Sequence, residues 1–381
     1  MRRVAAACLC LSLSAAFPVA RTVAAEPMAV PVLVPLTGFL ALEGASQRNG
    51  ALLALSQAPA GLQVRANVID TGAAPEGAVN ALERALSDGP VPVVAASMLG
   101  SQMLAMLPLA KEYGVPLLTV SGTAAVTRQD NPWVFRFFPG DDVTKTAHAR
   151  YVVQELAAKR PAVIYQTTAY GQSGYKHLTE QFAALGVQPV FAEGVEPAAK
   201  DLSPVIAKAL AAQPDALVLH LHAAPTALFI RQAAALGAKL PIVAGSAMHQ
   251  PATAALLEPA ELKGVCAETA SSPVSADTPA MAAFVQAYRA AFNTEPDAFA
   301  LGQYDAVKMA LAAMAKGAKT PDQVRQALST ERYDGLAMSY RSNGKGDMAH
   351  SALIVCYDGE TRTPKVAKRY DDVTGVLAAG R

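Results

Sequence analysis

From Ala29 onward the chain alternates short apolar runs with stretches of helical period, and this alternation restricts the fold more than any other feature. VPVLV is followed by GASQRNGALLALSQA, VPVVAAS by SQMLAMLPLAKEY, PAVIYQ by a helical stretch through HLTEQFAAL, and DALVLHL by TALFIRQAAAL. Alternation of this kind builds an α/β fold of mostly parallel sheets with helices on both faces. A strand covered on both faces reads as a continuous apolar run, as VPVVAA and DALVLHL nearly do. Val79, Leu82 and Leu86 carry helical spacing, and Gly114, Gly186 and Gly237 each follow a helical stretch as predicted left-handed caps.

The first 25 residues stand apart. Arg2 and Arg3 precede an apolar run from Val4 to Phe17, and the segment closes on Val23, Ala24 and Ala25. That order predicts a secretory signal over 1–25, cleaved before Glu26. The apolar run is shorter than the ~20 residues a bilayer span needs. Cys8 and Cys10 have too little apolar sequence ahead of them for a lipoprotein signal. The remaining 356 residues carry 29 basic and 31 acidic side chains, a formal charge of −2, so no basic surplus draws the chain to nucleic acid. At ~150 residues per domain this length predicts two lobes. Only Cys266 and Cys356 remain after cleavage; they can pair in an oxidising compartment but lack metal-ligand spacing.

The alternation is interrupted three times: at NPWVFRFFPGDD (131–142), at SSPVSADTP (271–279) and near Tyr333 to Gly335. The first reads as a crossing between lobes. After Gly335 the character changes to short strands, SALIVCYD and KVAKRY, set between the turn signals NGKGD and DGETRTP.

One strand end stands out chemically. In VPLLTVSGTAA the apolar run Val115–Val120 stops at Ser121, Gly122 and Thr123, with no acid, base or cysteine beside them. Ligands of open parallel sheets settle at the carboxyl ends of the strands. There the two hydroxyls, a glycine that admits close approach and the free amides of the following turn can hold a small carboxylate. Ordinary helix capping uses the same groups, and the sequence leaves both readings open. VPVVAAS ends the same way near Ser97, and Gly100 and Ser101 beyond it can add donors to the same anion.

These segments resemble the periplasmic solute-binding proteins of branched-chain amino acid type ABC importers, the leucine/isoleucine/valine-binding family. The resemblance rests on PLTGFLALEG with QRNGALLAL, GVPLLTVSGTA, NPWVFRFFPGDD, VIYQTTAYGQSG, QPDALVLHL with FIRQAAALG, and GQYDAVKMALAAM, in the family's order. It implies a two-lobed type I periplasmic binding fold with three hinge crossovers. The N-terminal lobe is expected to comprise 26–143 plus 272–334, and the C-terminal lobe 144–271 plus 335–381. Ser121 and Thr123, with Gly122 between them, fall where the family binds a ligand's carboxylate. Gly100 falls where the family usually has a serine, with Ser101 next to it. Tyr170 matches the tyrosine that the second lobe brings across the cleft, or else it is a plain aromatic before a helix start.

His222 falls at a ligand-facing position. His220 shares its strand face, but an HxH pair without a third ligand is not a zinc site, and a satisfied buried histidine is the plain reading for at least one of them. Ser246 replaces an acid that amino acid binders often use against the ligand's ammonium. Either another acid compensates, with Glu43 the candidate, or the ligand has no ammonium. The plain reading of Glu43 is a solvated glutamate at a helix start.

The resemblance thus implies a monomeric periplasmic component of an importer, closing on an amino acid or other small carboxylate and presenting its closed shape to an inner-membrane ABC permease. No cofactor, metal or catalytic residue is expected. Two other readings stay open. One is a sensory binding protein for a receptor kinase. The other is a periplasmic hydrolase, for which no GxSxG, HExxH or P-loop is present and for which Ser173 and His177 are better read as helix-start residues.

Overall fold

The computed structural model describes residues 27–275 and 277–378. The expected signal segment, 1–25, lies outside the described residues. Two sheets organise the rest. The first contains β1 (Met28–Val34), β2 (Val64–Asp70), β3 (Val94–Ala95), β4 (Leu117–Thr119) and β5 (Val134–Arg136), parallel throughout in the order β2-β1-β3-β4-β5. The second holds β6 (Pro161–Gln166), β7 (Phe191–Val195), β8 (Ala216–His220), β9 (Ile242–Ala244) and β10 (Val265–Thr269), all parallel. A small hairpin of β11 (Tyr333–Asp334) and β12 (Ser339–Tyr340) follows. Strands β13 (Ala352–Cys356) and β14 (Lys365–Tyr370) then join the second sheet antiparallel, giving the order β14-β13-β10-β9-β8-β6-β7.

The helices are α1 (Ala41–Ser56), α2 (Pro75–Ser87), α3 (Gly100–Tyr113), α4 (Asp141–Arg150), α5 (Ala169–Ala184), α6 (Ser203–Ala211), α7 (Ala223–Ala235), α8 (Pro251–Ala254), α9 (Pro279–Phe292), α10 (Ala298–Ala315) and α11 (Pro321–Thr330). No helix among the described residues is long and apolar enough to cross a membrane.

The central strands of each sheet are buried on both faces, and their side chains alternate between two cores. Val30, Val32 and Val34 of β1 face one core with α1, α9 and α10, while Leu33 faces a second with α2 and α3. In β8, Leu217 and Leu219 join α6 and α7, while Ala216 and Val218 join α5. Helices α1 and α10 approach so closely that a Cβ on Gly50 would overlap the Ala300 backbone, which fixes glycine there. The three predicted cap glycines take positive φ: 60° at Gly114 and 74° at both Gly186 and Gly237.

Both sheets reverse their strand order, the first between β1 and β3 and the second between β6 and β8. Such switch points open crevices at the strands' carboxyl ends. The chain leaves the first sheet after β5 and enters α4, which packs on β10 and β13, so the crossing occupies 137–140. It returns after β10 to α9, which packs on α1. Residues 336–349 depart from the division read in the sequence. Tyr340, Met348 and Ala349 pack into the first sheet's core rather than the second's, and Asp347 bridges to Arg136 of β5. The turn signals around NGKGD marked a change of structure but carried no information about which core the hairpin would cover.

Cys266 of β10 and Cys356 of β13 face each other in register and form a disulfide closing 90 residues of chain, with their Cα atoms 4.0 Å apart. Non-reducing peptide mapping of the purified, unreduced protein is expected to recover the linked pair, and Cys266→Ser with Cys356→Ser is expected to lower unfolding free energy by about 2–4 kcal/mol. An unchanged melting midpoint would show that the sheet holds these strands without it.

Candidate functional site

The two switch-point crevices face each other across a nearly closed cavity with only about 20 Å³ of open room, enough for about one water molecule, so a larger solute fits only if the lobes part. Its lining comes from both lobes and from the crossing. Met98, Gly122, Phe138 and Phe299 lie on one side; Asp141, Thr144, Tyr170, His222, Ser246, Ala247 and Glu268 lie on the other.

On the first-lobe side, β4 ends at Thr119, whose hydroxyl donates to Ser97 O (2.7 Å) and accepts from Ser121 N (3.1 Å). The chain then turns through Ser121, Gly122 and Thr123 into a 3-10 turn, Ala124–Thr127. Neither hydroxyl caps that turn: Ser121 Oγ and Thr123 Oγ1 are buried with no hydrogen-bond partner. A buried polar group without a partner is costly and calls for an explanation; neither side chain reaches the cavity lining, which here is Gly122 alone. The loop is fixed from behind by Arg136, 1% exposed, which donates to Thr123 O (2.8 Å) and pairs with Asp347.

Glycine at 100 and 122 has a steric reason. A Cβ on Gly100 would overlap the Thr123 side chain, so the serine usual at this position cannot be accommodated with Thr123 where it stands. A Cβ on Gly122 would come within 3.1 Å of the Tyr170 ring and 3.3 Å of Asp141 Oδ1, closing the space between the lobes. Ser101 is half-buried and does not line the cavity.

On the second-lobe side, Tyr170 opens α5 with its ring 3.9 Å from that of His220 and 4.7 Å from that of His222. His220 donates through Nε2 to Tyr170 O (3.1 Å). The His222 amide donates to Gln166 Oε1 (2.7 Å), joining the ends of β8 and β6 across the switch point. Burial depresses both imidazoles, His220 well below the usual range and His222 down to about 3, so both are neutral. Beneath them Lys145 of α4 and Glu268 of β10 form a buried ion pair, 0% and 1% exposed. Ser246 donates to the other Glu268 oxygen (3.2 Å). An acid other than the candidate Glu43 thus sits behind Ser246, but it is already paired with a lysine.

Glu43 is neither solvated nor part of the cavity wall. It is 0% exposed, and its Oε1 accepts from Ala223 N (2.8 Å) at the start of α7, 3.7 Å from His222 Nδ1. Burial raises its carboxyl to about 7. It therefore ties α1 of the first lobe to α7 of the second, at the helix end whose partial positive charge suits a carboxylate. Ser173 lies near the start of α5, whereas His177, also read as a helix-start residue, lies at its middle. Ser173 Oγ also accepts from Ala124 N (3.0 Å), a second bond between lobes.

Asp141, Lys145, Thr144 and Glu268 escaped the sequence reading, as did the apolar side chains Met98, Phe138 and Phe299, the two phenylalanines stacked 5.0 Å apart. Asp141 and Asp142 were read as the end of a crossing, and nothing local pairs Lys145 with a glutamate 123 residues away.

The family model for periplasmic binding proteins matches residues 27–361. The chain belongs to the periplasmic binding protein family, with the two-lobed type I fold. It is 27% identical over 309 residues to Leu/Ile/Val-binding protein homolog 1 of Brucella suis biovar 1, covering 78% of this chain and 81% of that one. It superimposes with a TM-score of 0.82 on the branched-chain amino acid transporter substrate binding protein LivJ of Streptococcus pneumoniae, solved with isoleucine, at 21% identity and covering 90% and 99% of the two chains. A solute binding protein of an ABC transporter from Rhodopseudomonas palustris, solved with 3,4-dihydroxy benzoic acid, gives 0.81 at 20% identity, covering 91% and 98%.

Replacing Lys145 by Met strands Glu268 in the interior and is expected to cost about 3–5 kcal/mol in denaturant unfolding, with most of it regained in the Lys145→Met, Glu268→Met double variant. Equal losses in the single and double variants would contradict a pair that matters through its charges. Gly100→Ser is expected to displace Thr123 and destabilise by about 1–3 kcal/mol; unchanged stability would show that Thr123 yields freely.

Proposed function

We propose that this chain is the solute-binding component of an ABC importer, exported to the periplasm, and that it captures a small carboxylate in the cleft between its lobes. The observation that carries this reading is the pair of buried, unpartnered hydroxyls at Ser121 and Thr123, on either side of Gly122, which lines the cavity, in a loop whose Thr123 carbonyl accepts from Arg136. They are neutral donors at a strand's carboxyl end, and a carboxylate would satisfy both. Gly100 leaves room for Thr123, while Tyr170, His222 and Ser246 close the far side.

In this reading the lobes comprise 27–143 with 272–275 and 277–349, and 144–271 with 350–378, joined by the three crossovers. Ligand stabilises the closed form by bridging them. The relatives include proteins named for leucine, isoleucine and valine and a structure solved with a dihydroxybenzoate. Both ligand sets share the carboxylate that the two hydroxyls would hold. The inner-membrane permease is the partner that would read the closed shape of the monomer.

Thermal-shift screening of the purified protein against branched-chain amino acids and aromatic or aliphatic carboxylates is expected to raise the melting temperature with members of one set. Thr123→Val removes a hydroxyl with no hydrogen-bond partner in the protein, so it is expected to leave the melting temperature without ligand within a few degrees while weakening the stabilising ligand about 10-fold or more. Full affinity in Thr123→Val would overturn the placement of the carboxylate.

A further inference from the structure

We propose that Glu43 and Asp297 make closure proton-linked: these two carboxyls of the interlobe seam share one proton when the lobes meet and release it when they part. The inference rests on the preceding reading in that the lobes open and close, and it is independent of where a solute's carboxylate sits.

Both acids belong to the first lobe, Glu43 on α1 and Asp297 at the N-cap of α10, and they are 0% and 4% exposed. Each accepts a bond from the second lobe. Ala223 N at the start of α7 donates to Glu43 Oε1 (2.8 Å), and Gln250 Nε2 ahead of α8 donates to Asp297 Oδ2 (2.5 Å). Asp297 Oδ1 also accepts from Ser46 Oγ and from Ala300 N (2.9 Å), whereas Glu43 Oε2 has no partner. The seam thus joins neutral donors of one lobe to acids of the other.

No cation answers these acids. The titratable and charged groups around them are His222 at the start of α7, His249 beside Gln250, Tyr170 on α5, Tyr288 on α9 and Arg48 on α1. Burial holds His222 down to about 3 and His249 down to about 4, so both are neutral. Arg48 donates to Asn49 Oδ1 (2.8 Å), and among the described residues neither acid forms an ion pair with a lysine or arginine. Two neighbouring carboxyls buried without a cation do not both stay ionised. Burial, with the charge of Asp297 adding to it, holds Glu43 at about 7 against the pull of the Ala223 bond, and burial raises Asp297 as well.

Parting the lobes withdraws α7 from Glu43 and returns its carboxyl to water, where the ordinary value is 4.5. Between about pH 4.5 and pH 7 the closed form therefore holds a proton that the open form lacks, and closure weakens about tenfold for each unit that pH rises through this window. Above it the loss is complete. Asp141 is a second cleft acid that burial raises to about 7, but Lys145 and Arg136 oppose the rise, and replacing Glu43 tells the two apart.

Single-molecule energy transfer between dyes on exposed sites of the two lobes reads the open-to-closed ratio without any solute. In wild type that ratio is expected to rise about 30-fold from pH 5.5 to pH 8. Glu43→Gln keeps an acceptor for the Ala223 amide but carries no charge, and it is expected to lose most of that rise. Asp297→Asn still caps α10 and is expected to move the midpoint to lower pH. A wild-type ratio that is constant or falls with pH overturns the proposal, and so does a full-sized rise in Glu43→Gln. If pH leaves the ratio alone while a solute from the thermal-shift screen closes the lobes, the proposal falls and the capture reading stands. Lobes that neither pH nor any solute moves overturn both.

Discussion

The buried pair of Lys145 and Glu268 is the interaction on which the cleft depends. Lys145 lies just after the chain enters the second lobe, and Glu268 lies just before it leaves. Their contact therefore ties the two crossings together at the floor of the cavity. Two charges taken out of water cost several kcal/mol each, and only close, well-bonded geometry repays it. That requirement gives the pair its directional hold: Lys145 on one Glu268 oxygen, Ser246 on the other, with no freedom for β10 to slide against α4. Apolar packing on the two faces of the sheet supplies most of the stability but little of this exactness of place.

The first lobe meets this floor with a loop held by its backbone. Arg136 donates to the carbonyl of Thr123 and pairs with Asp347, and Thr119 takes the amide of Ser121. The hydroxyls of Ser121 and Thr123 need no role in holding the loop and are free for a ligand. Preorganisation of this kind lowers the ordering cost of binding. The bonds from Ala223 to Glu43 and from Ala124 to Ser173 join the lobes directly. Closure is thus partly written into the protein, and the solute adds to bonds that already exist.

Much of this was legible in the sequence because it is local. Continuous apolar runs such as DALVLHL marked strands covered on both faces, and Gly114, Gly186 and Gly237 marked helix ends that need positive φ. The unusual strand end at Ser121 to Thr123 was visible because two hydroxyls and a glycine had no local use. What escaped depends on residues far apart in the chain. Glu268 in VCAET reads as a strand residue of no special kind until Lys145 is brought against it. Glu43, read as solvated or as an ammonium partner, proved to be a fully buried link to α7, because lobe closure covers the helix start that the sequence showed as open. The packing of β12 and the turn after it on the first sheet's core is hidden for the same reason: Arg136, which draws Asp347 to that sheet, lies 211 residues upstream.

The account stands most directly on where a solute sits. A crystal structure of the protein with whichever compound raises its melting temperature most should show closed lobes, with a carboxylate oxygen of that compound within hydrogen-bond distance of Thr123 Oγ1 and of Ser121 Oγ. A solute bound elsewhere, or one bound in the cleft with those two hydroxyls still unpaired, would contradict it.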